Sequence, residues 1–297
     1  MTQFLKATNP AIPIISALIA ATAFSINDLG IKFLSGDYPL HLIVLFRASI
    51  GLMFTMAIFV PLDGGLSNLK TRRFGMHLIR ALFVVTANTL FFMGIAALPL
   101  SEATSIFFVS PMVITLFSIL FLGERVGVWR WTAVLAGLLG VLIMFRPGTS
   151  SFQLASFFPF VAAICYAALH ILTRKLGTTD KASTMAFYIQ IVFIVVSVVI
   201  GIAIGDGRFV GTDNPSLQFL FRPWHWPATS DWPLFILIGF GVAFAGYLIS
   251  QAYRVAEAAY VAPFEYVALP LAVIFGIVIF DEWPDAASYS GMALIMA

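Results

Sequence analysis

Apolar residues run in ten long stretches, separated by short clusters of charge, glycine and proline: 11–34, 39–61, 75–98, 101–122, 129–145, 154–173, 183–204, 232–253, 257–280 and 285–297. A helix needs about 20 mostly apolar residues to cross the ~30 Å hydrocarbon core of a bilayer. The pattern therefore predicts an all-α polytopic membrane protein with ten transmembrane helices. Pairing Glu282 with Glu124 sets Ala297 opposite Leu139, so the tenth helix is expected to run on past Ala297. At the other end, Lys6, the apolar stretch from Ala11 and Ala21-Thr22-Ala23 have the outline of a signal peptide. The run continues past that site to Gly30 and Ile31, and it has a counterpart in the second half. It reads as the first helix.

Two of the stretches resemble each other. Glu102-Ala-Thr-Ser-Ile-Phe-Phe-Val-Ser-Pro111 runs on to Gly123-Glu124. Glu257-Ala-Ala-Tyr-Val-Ala-Pro263-Phe-Glu265-Tyr266-Val-Ala-Leu-Pro270 runs on to Asp281-Glu282. Around them, Ala21–Asn27 aligns with Ala163–Leu169, Lys32 with Arg174, and Ile95–Ala97 with Ser250–Ala252. The chain thus divides into a repeat at 1–148 and a second at 149–297. Each holds five spans, an odd number, so the second begins on the opposite face and the repeats are inverted. Matched broken helices in two inverted halves point to a substrate site at the midplane where they meet.

Lys and Arg placement gives the orientation. With the N-terminus inside, the inner face receives Lys6, Lys70, Arg72, Arg73, Arg80, Arg125, Arg130, Arg174, Lys175, Lys181 and Arg254. The outer face receives Lys32, Arg146, Arg208 and Arg222, and Arg47 lies within a span. Eleven against four predicts both termini in the cytoplasm. The one long loop, 206–231, then faces out, with Pro223-Trp-His-Trp-Pro227 as an interfacial anchor.

Composition agrees. The 297 residues are 61% hydrophobic and only 10% charged, against about 25% charge in soluble domains. Net charge is +2, so nucleic acid is not an expected partner; the bilayer and a small-molecule substrate are. The single Cys165 excludes an intrachain disulfide and reads as packing. No Asn-x-Ser/Thr acceptor occurs, which fits a bacterial inner membrane.

Ten spans in two five-helix halves, each with a proline-containing fourth helix closed by Gly-Glu or Asp-Glu, resemble the drug/metabolite transporter superfamily. Within it, they resemble its paired EamA-type repeats. The aromatic-rich core is similar to the bacterial aromatic amino acid exporters of that superfamily. The resemblance covers nearly the whole chain. It implies a basket-shaped bundle in which helices 3, 4, 8 and 9 line a cavity, helices 1, 2, 6 and 7 rock around it, and helices 5 and 10 lie outside.

Ionisable residues inside a span cost at least ~2.5–3.5 kcal/mol on insertion scales, so they mark protein-facing or wet positions. Arg47 is expected to pair internally with Asp28 or Glu265, with a substrate carboxylate as the second reading and snorkelling as the third. Glu265, between Pro263 and Pro270, is a buried structural partner or the receiver of an ammonium or proton. His170 reads as a hydrogen-bonded structural histidine before a proton carrier. Asp28 and Lys32 sit at helical ion-pair spacing. His77 and Arg80 are expected to snorkel to the inner interface. Glu102 and Glu257 suit helix starts. Glu124 and Glu282 are loop acids placed to hold the repeats together. Among the uncharged polar residues, Asn27, Asn88, Gln190 and Gln251 read first as interhelical hydrogen bonders.

The substrate-binding candidates are Arg47, Asn88, Phe92, Phe107, Phe108, Tyr166, Tyr247, Gln251, Phe264, Glu265 and Tyr266. Pro111, Pro263 and Pro270 are the flex points. The aromatic subset suits a flat, partly apolar substrate. Ala133, Gly137, Gly140 and Gly291 allow close helix contact, within the monomer ahead of a weak homodimer.

The reading is a secondary transporter for small metabolites, aromatic amino acids first, in the direction of export and by alternating access. A multidrug, sugar or nucleotide-linked carrier would share the architecture. A membrane enzyme finds no His-Glu-x-x-His, Gly-x-Ser-x-Gly or phosphate-loop motif. A retinal receptor finds no lysine after Lys181. No metal or cofactor is expected.

Overall fold

The structure, a computed structural model, describes residues 11–124, 127–145, 154–209, 211 and 213–296. Lys6, Arg125, Arg146, Ala297, the side chains of Arg130 and Ala133, and the expected repeat boundary at 148/149 lie outside the described residues. Ten long helices follow in chain order: α1 Ala11–Leu34, α2 Leu40–Leu62, α3 Phe74–Ala97, α4 Leu100–Leu122, α5 Val128–Phe145, α6 Leu154–Leu176, α7 Ala182–Ile204, α8 Trp232–Val255, α9 Ala258–Phe280 and α10 Ala286–Met296. Among the described residues, eight are long and apolar enough to span a membrane. The apolar parts of α5 (Leu135–Met144) and α10 are shorter than a full crossing. A short helix, Pro215–Phe221, lies in the long loop, and the Asn214 side chain caps it.

Packing is reciprocal between the halves. Helix α1 lies against α8 as α6 lies against α3, and α2 meets α8 as α7 meets α3. Helices α5 and α10 pair with each other away from this set. Glycine makes that pairing possible. A Cβ on Gly140 would sit 2.5 Å from the Gly291 carbonyl, and one on Gly291 would sit 2.4 Å from Met144. Gly137 packs against Met112 of α4. The small residues therefore serve contacts inside the monomer.

Two helices are broken. In α4, one helical segment ends at Phe107 and the next starts at Ser110. Pro111 has no N–H to give the Phe107 carbonyl, and its ring crowds that carbonyl, so a regular helix cannot continue there. In α9, a 3₁₀ stretch runs from Ala262 to Val267, with Pro263 in its first turn and Pro270 in the first turn of the helix that follows.

Both broken helices end the same way. Gly123 (φ 68°) and Asp281 (φ 54°) adopt the left-handed conformation that closes a helix. The next residue in each case is a glutamate. The Glu124 carboxylate accepts hydrogen bonds from the Ala258 and Ala259 amides at 3.1 and 3.2 Å, at the start of α9. The Glu282 carboxylate accepts one from the Leu100 amide at 2.8 Å, at the start of α4. Each half thus caps the broken helix of the other, supplying acceptors to amides that a helix start leaves without partners.

Several expectations are corrected. Lys32 does not pair with Asp28; its Nζ lies 2.5 Å from Glu282 Oε1 and also donates to the Leu98 carbonyl. The C-terminal end of α1 is thereby tied to the acid that caps α4, a partner 250 residues away. Arg80 does not snorkel. It is 1% exposed and donates to Thr173 Oγ1 (2.6 Å), the Met185 carbonyl and Ser250 Oγ. His77 is also buried, with Nε2 3.2 Å from Asp180 Oδ1 in the α6–α7 turn. Three polar acceptors from α6, α7 and α8 reward burial of Arg80 more than the interface would, and none can be located from local sequence. Burial pushes the Asp180 carboxyl upward. Hydrogen bonds from Thr179, Thr71 and His77 outweigh that and hold it below the usual carboxylate range.

Candidate functional site

The eight longer helices surround one cavity, with about 1200 Å³ of empty space including its open mouth. Helices α5 and α10 contribute nothing to its wall. Four helices were expected to line it, and α1, α2, α6 and α7 join them. The wall has two chemical characters.

The aromatic part is built at the α4 break. Phe107 sits 5.0 Å from Phe91 of α3 and 5.1 Å from Tyr166 of α6, ring centre to ring centre. Phe108, next to it, packs on Tyr266 of α9 at 5.4 Å. Edge-on and tilted contacts of this kind favour a rigid, preshaped wall.

The polar part centres on Arg47, which is 1% exposed. Its Nη1 donates to Asn27 Oδ1 (3.1 Å) and its Nη2 to Asn88 Oδ1 (3.0 Å). Asn27 in turn donates to the Ile238 carbonyl of α8 at 2.8 Å. The guanidinium lies between the rings of Phe92 and Phe193, at 5.2 and 5.1 Å. An ion pair with Asp28 or Glu265 was expected, but two amides hold the group instead. Asp28 lines the same wall, and among the described residues no ion pair joins it to Arg47. Amides satisfy a buried guanidinium at lower desolvation cost than a second buried ion would.

Glu265 is held by two phenols. Tyr166 OH donates to Oε2 at 2.5 Å, and Tyr253 OH donates to Oε1. His170 packs edge-on against Tyr166 and tilted against Tyr253, with ring centres 4.3 and 3.8 Å apart. The 3₁₀ turn of α9 is what swings Glu265 into this pocket of hydroxyls.

The structure brings Arg47, Asn88, Phe92, Phe107, Phe108, Tyr166 and Glu265 to the cavity wall. Four other candidates are absent from its lining. Tyr247 stacks on Phe59 and donates to Asp63. Gln251 accepts from Arg254. Phe264 packs on Tyr260, and Tyr266 backs Phe108. Pro111, Pro263 and Pro270 flank the two breaks. Asp28, Arg80, His170 and Gln190 also line the cavity and were passed over as site candidates. The signal available for each was a polar residue flanked by apolar ones well inside a span.

With this geometry in place, comparison with known proteins is informative. The profile of the EamA-like transporter family matches residues 11–146. A riboflavin transporter of Vibrio cholerae is 30% identical over 284 residues, spanning 94% of this chain and 88% of its own. The chain belongs to the EamA-like transporter family. This EamA-like transporter is also 25% identical, over 94% of its length and 88% of the relative's, to an S-adenosylmethionine uptake transporter of Rickettsia prowazekii. A crystal structure at 21% identity superposes with TM-score 0.72 over 97% of this chain and 94% of the other, which supports the fold alone. The protein is therefore a multi-pass membrane transporter. The relatives are named for riboflavin and S-adenosylmethionine, and they lend no support to aromatic amino acids in particular.

Proposed function

We propose that this transporter moves a metabolite built on a planar heteroaromatic ring, with riboflavin first. The observation that carries the reading is one cavity combining an aromatic wall (Phe91, Phe107, Phe108, Tyr166) with a guanidinium–amide cluster (Arg47, Asn27, Asn88). Stacking takes the ring face, and the polar cluster takes its hydrogen-bonding edge. The names of the two relatives fit that class, because riboflavin and S-adenosylmethionine both carry a flat nitrogen heterocycle. Arg47 bears on the choice. Each terminal nitrogen already gives one hydrogen to an amide, so a substrate meets a mixed guanidinium–amide cluster and not an uncommitted guanidinium.

The mechanism is alternating access by two inverted five-helix repeats, 1–148 and 149–297, with both termini cytoplasmic. The reciprocal caps at Glu124 and Glu282 and the paired breaks in α4 and α9 support it. Broken helices at a midplane cavity provide flex points at the substrate.

A second reading is an amino acid carrier. The presence of Asp28 and Glu265 beside Arg47 and Arg80 favours it, because opposite charges on one wall suit a zwitterion. Proteoliposomes containing the purified protein separate the two. Saturable flux of labelled riboflavin or S-adenosylmethionine, measured inward and outward with and without a pH gradient, is the expected result. Flux of tryptophan or phenylalanine with none of either heterocycle would overturn the first reading and establish the second.

A further inference from the structure

Buried polar atoms in proteins almost always have hydrogen-bond partners, and each exception asks for an explanation. Three residues on the cavity wall carry such exceptions among the described residues: both ring nitrogens of His170, Oε1 of Gln190 and Nε of Arg47. His170 is 1% exposed, Gln190 3% and Arg47 1%.

Their neighbours are engaged elsewhere. The hydroxyls of Tyr166 and Tyr253, which flank His170, are both committed to Glu265. Arg80 donates to Thr173, Met185 and Ser250, and Thr173 donates to the Leu169 carbonyl. Around Arg47, the carbonyl oxygens of Asn27 and Asn88 are taken by its own terminal nitrogens. Gln190 lies against Gly51, one helical turn from Arg47, and Phe193 beside the guanidinium is one turn from Gln190. Arg47 and Gln190 thus share the α2–α7 contact, and both line the cavity.

We infer that His170 and Gln190, together with the Nε of Arg47, are specificity-determining contacts that the substrate completes. An unpartnered donor and an unpartnered acceptor on one wall match the acceptor–donor edge of a heterocycle. An imide of the flavin kind presents a carbonyl next to an N–H, and adenine presents a ring nitrogen next to an amino group. His170, facing the cavity between two tyrosines, takes a hydroxyl or carbonyl elsewhere on the same molecule. This rests on the heteroaromatic reading above and names the atoms by which that ring is selected. It also explains why the unpartnered groups persist in spite of their cost to the free protein.

The test uses the full chain in lipid nanodiscs, with riboflavin binding read by its own fluorescence and S-adenosylmethionine binding read with the labelled compound. Gln190→Met keeps the volume and removes the acceptor. His170→Phe keeps the ring stacking and removes both nitrogens. Each is expected to weaken binding about tenfold, the effect of leaving one ligand group unpaired. Neither is expected to lower the melting temperature of the free protein, because neither removes a bond that the free protein makes. 3-Methylriboflavin, which lacks the imide N–H, is expected to bind the wild type about tenfold more weakly than riboflavin and to bind Gln190→Met no worse than riboflavin does. Unchanged affinities in both variants, or a lowered melting temperature in both, would overturn the inference while the proposed function stands. If the wild type binds neither heterocycle, the proposed substrate class fails and this inference falls with it.

Discussion

Removing the Glu282 carboxylate tests whether the halves are locked by the acids that follow each broken helix. Glu282→Ala loses the hydrogen bond to the Leu100 amide at 2.8 Å, a capping interaction that contributes about 1 kcal/mol. It also strands Lys32, whose side chain is 10% exposed and whose Nζ lies 2.5 Å from the lost carboxylate. Breaking a fully buried ion pair from one side costs about 3–5 kcal/mol. Here the carboxylate is 24% exposed, and Lys32 keeps the Leu98 carbonyl and the Phe280 ring, so about 2 kcal/mol is the better figure. The single variant should therefore lose about 3 kcal/mol in total. Lys32→Met in the same background removes the stranded charge and should leave only the capping loss, about 1 kcal/mol. The assay is equilibrium unfolding in mixed micelles for wild type, both single variants and the double. A recovery of about 2 kcal/mol from Glu282→Ala to the double variant is expected. A double variant as unstable as Glu282→Ala would refute the ion pair as the main tie at that end of α1.

Arg80 is a buried cation bonded to neutral acceptors, and those acceptors have other partners or tolerate losing it. Arg80→Met should shift unfolding by less than about 1 kcal/mol while lowering flux in proteoliposomes at least tenfold; a large stability loss with normal flux would make Arg80 structural. Gly140→Leu puts a side chain where a Cβ already meets the Gly291 carbonyl at 2.5 Å, so the α5–α10 pair should open at a cost of at least about 2 kcal/mol, read by thermal unfolding. Asp180 has its carboxyl held low in the folded protein, so its contribution is complete above the unfolded value of about 3.9 and disappears as pH falls through the folded one. Acid unfolding of Asp180→Asn should therefore be less steep than that of wild type below about pH 4.

What could be read from the chain alone was set by period and symmetry. Span limits depend only on runs of apolar residues, and they agree with the described helix ends within about three residues. The Gly-Glu and Asp-Glu endings were legible because both ingredients are local: a residue that tolerates the left-handed turn, then an acid. The fate of individual polar residues was not legible. Lys32 has Asp28 one turn away, and helical spacing makes that pair the natural expectation. Tertiary structure instead delivered Glu282 from the far end of the chain. Arg80 looked interfacial because it lies near a helix end, and nothing nearby announces Thr173 or Ser250. Tyr247, Gln251, Phe264 and Tyr266 sit on the expected helices but face other partners, since an apolar span carries no marker of which side meets the cavity.

The two broken helices divide their work unequally, and the asymmetry follows from their sequences. In α4 a single proline ends one helical segment, and the residues at the break are Phe107 and Phe108, which have only surface to offer. In α9 two prolines seven residues apart hold a longer 3₁₀ stretch, and that geometry turns Glu265 toward phenols supplied by α6 and α8. Both phenols come from the second half of the chain, so the carboxyl is tied within its own half, whereas the Glu124 and Glu282 caps tie each half to the other. A rocking motion between halves would strain the caps and the α4 aromatic contacts while leaving the Glu265 cluster intact. In the proposed alternating-access cycle, the part of the wall that changes shape would then be the aromatic one, and the polar cluster around Glu265 would travel as a unit. For the planar-ring substrate proposed above, that arrangement would let ring stacking be made and broken at each turnover while one set of polar groups keeps its geometry.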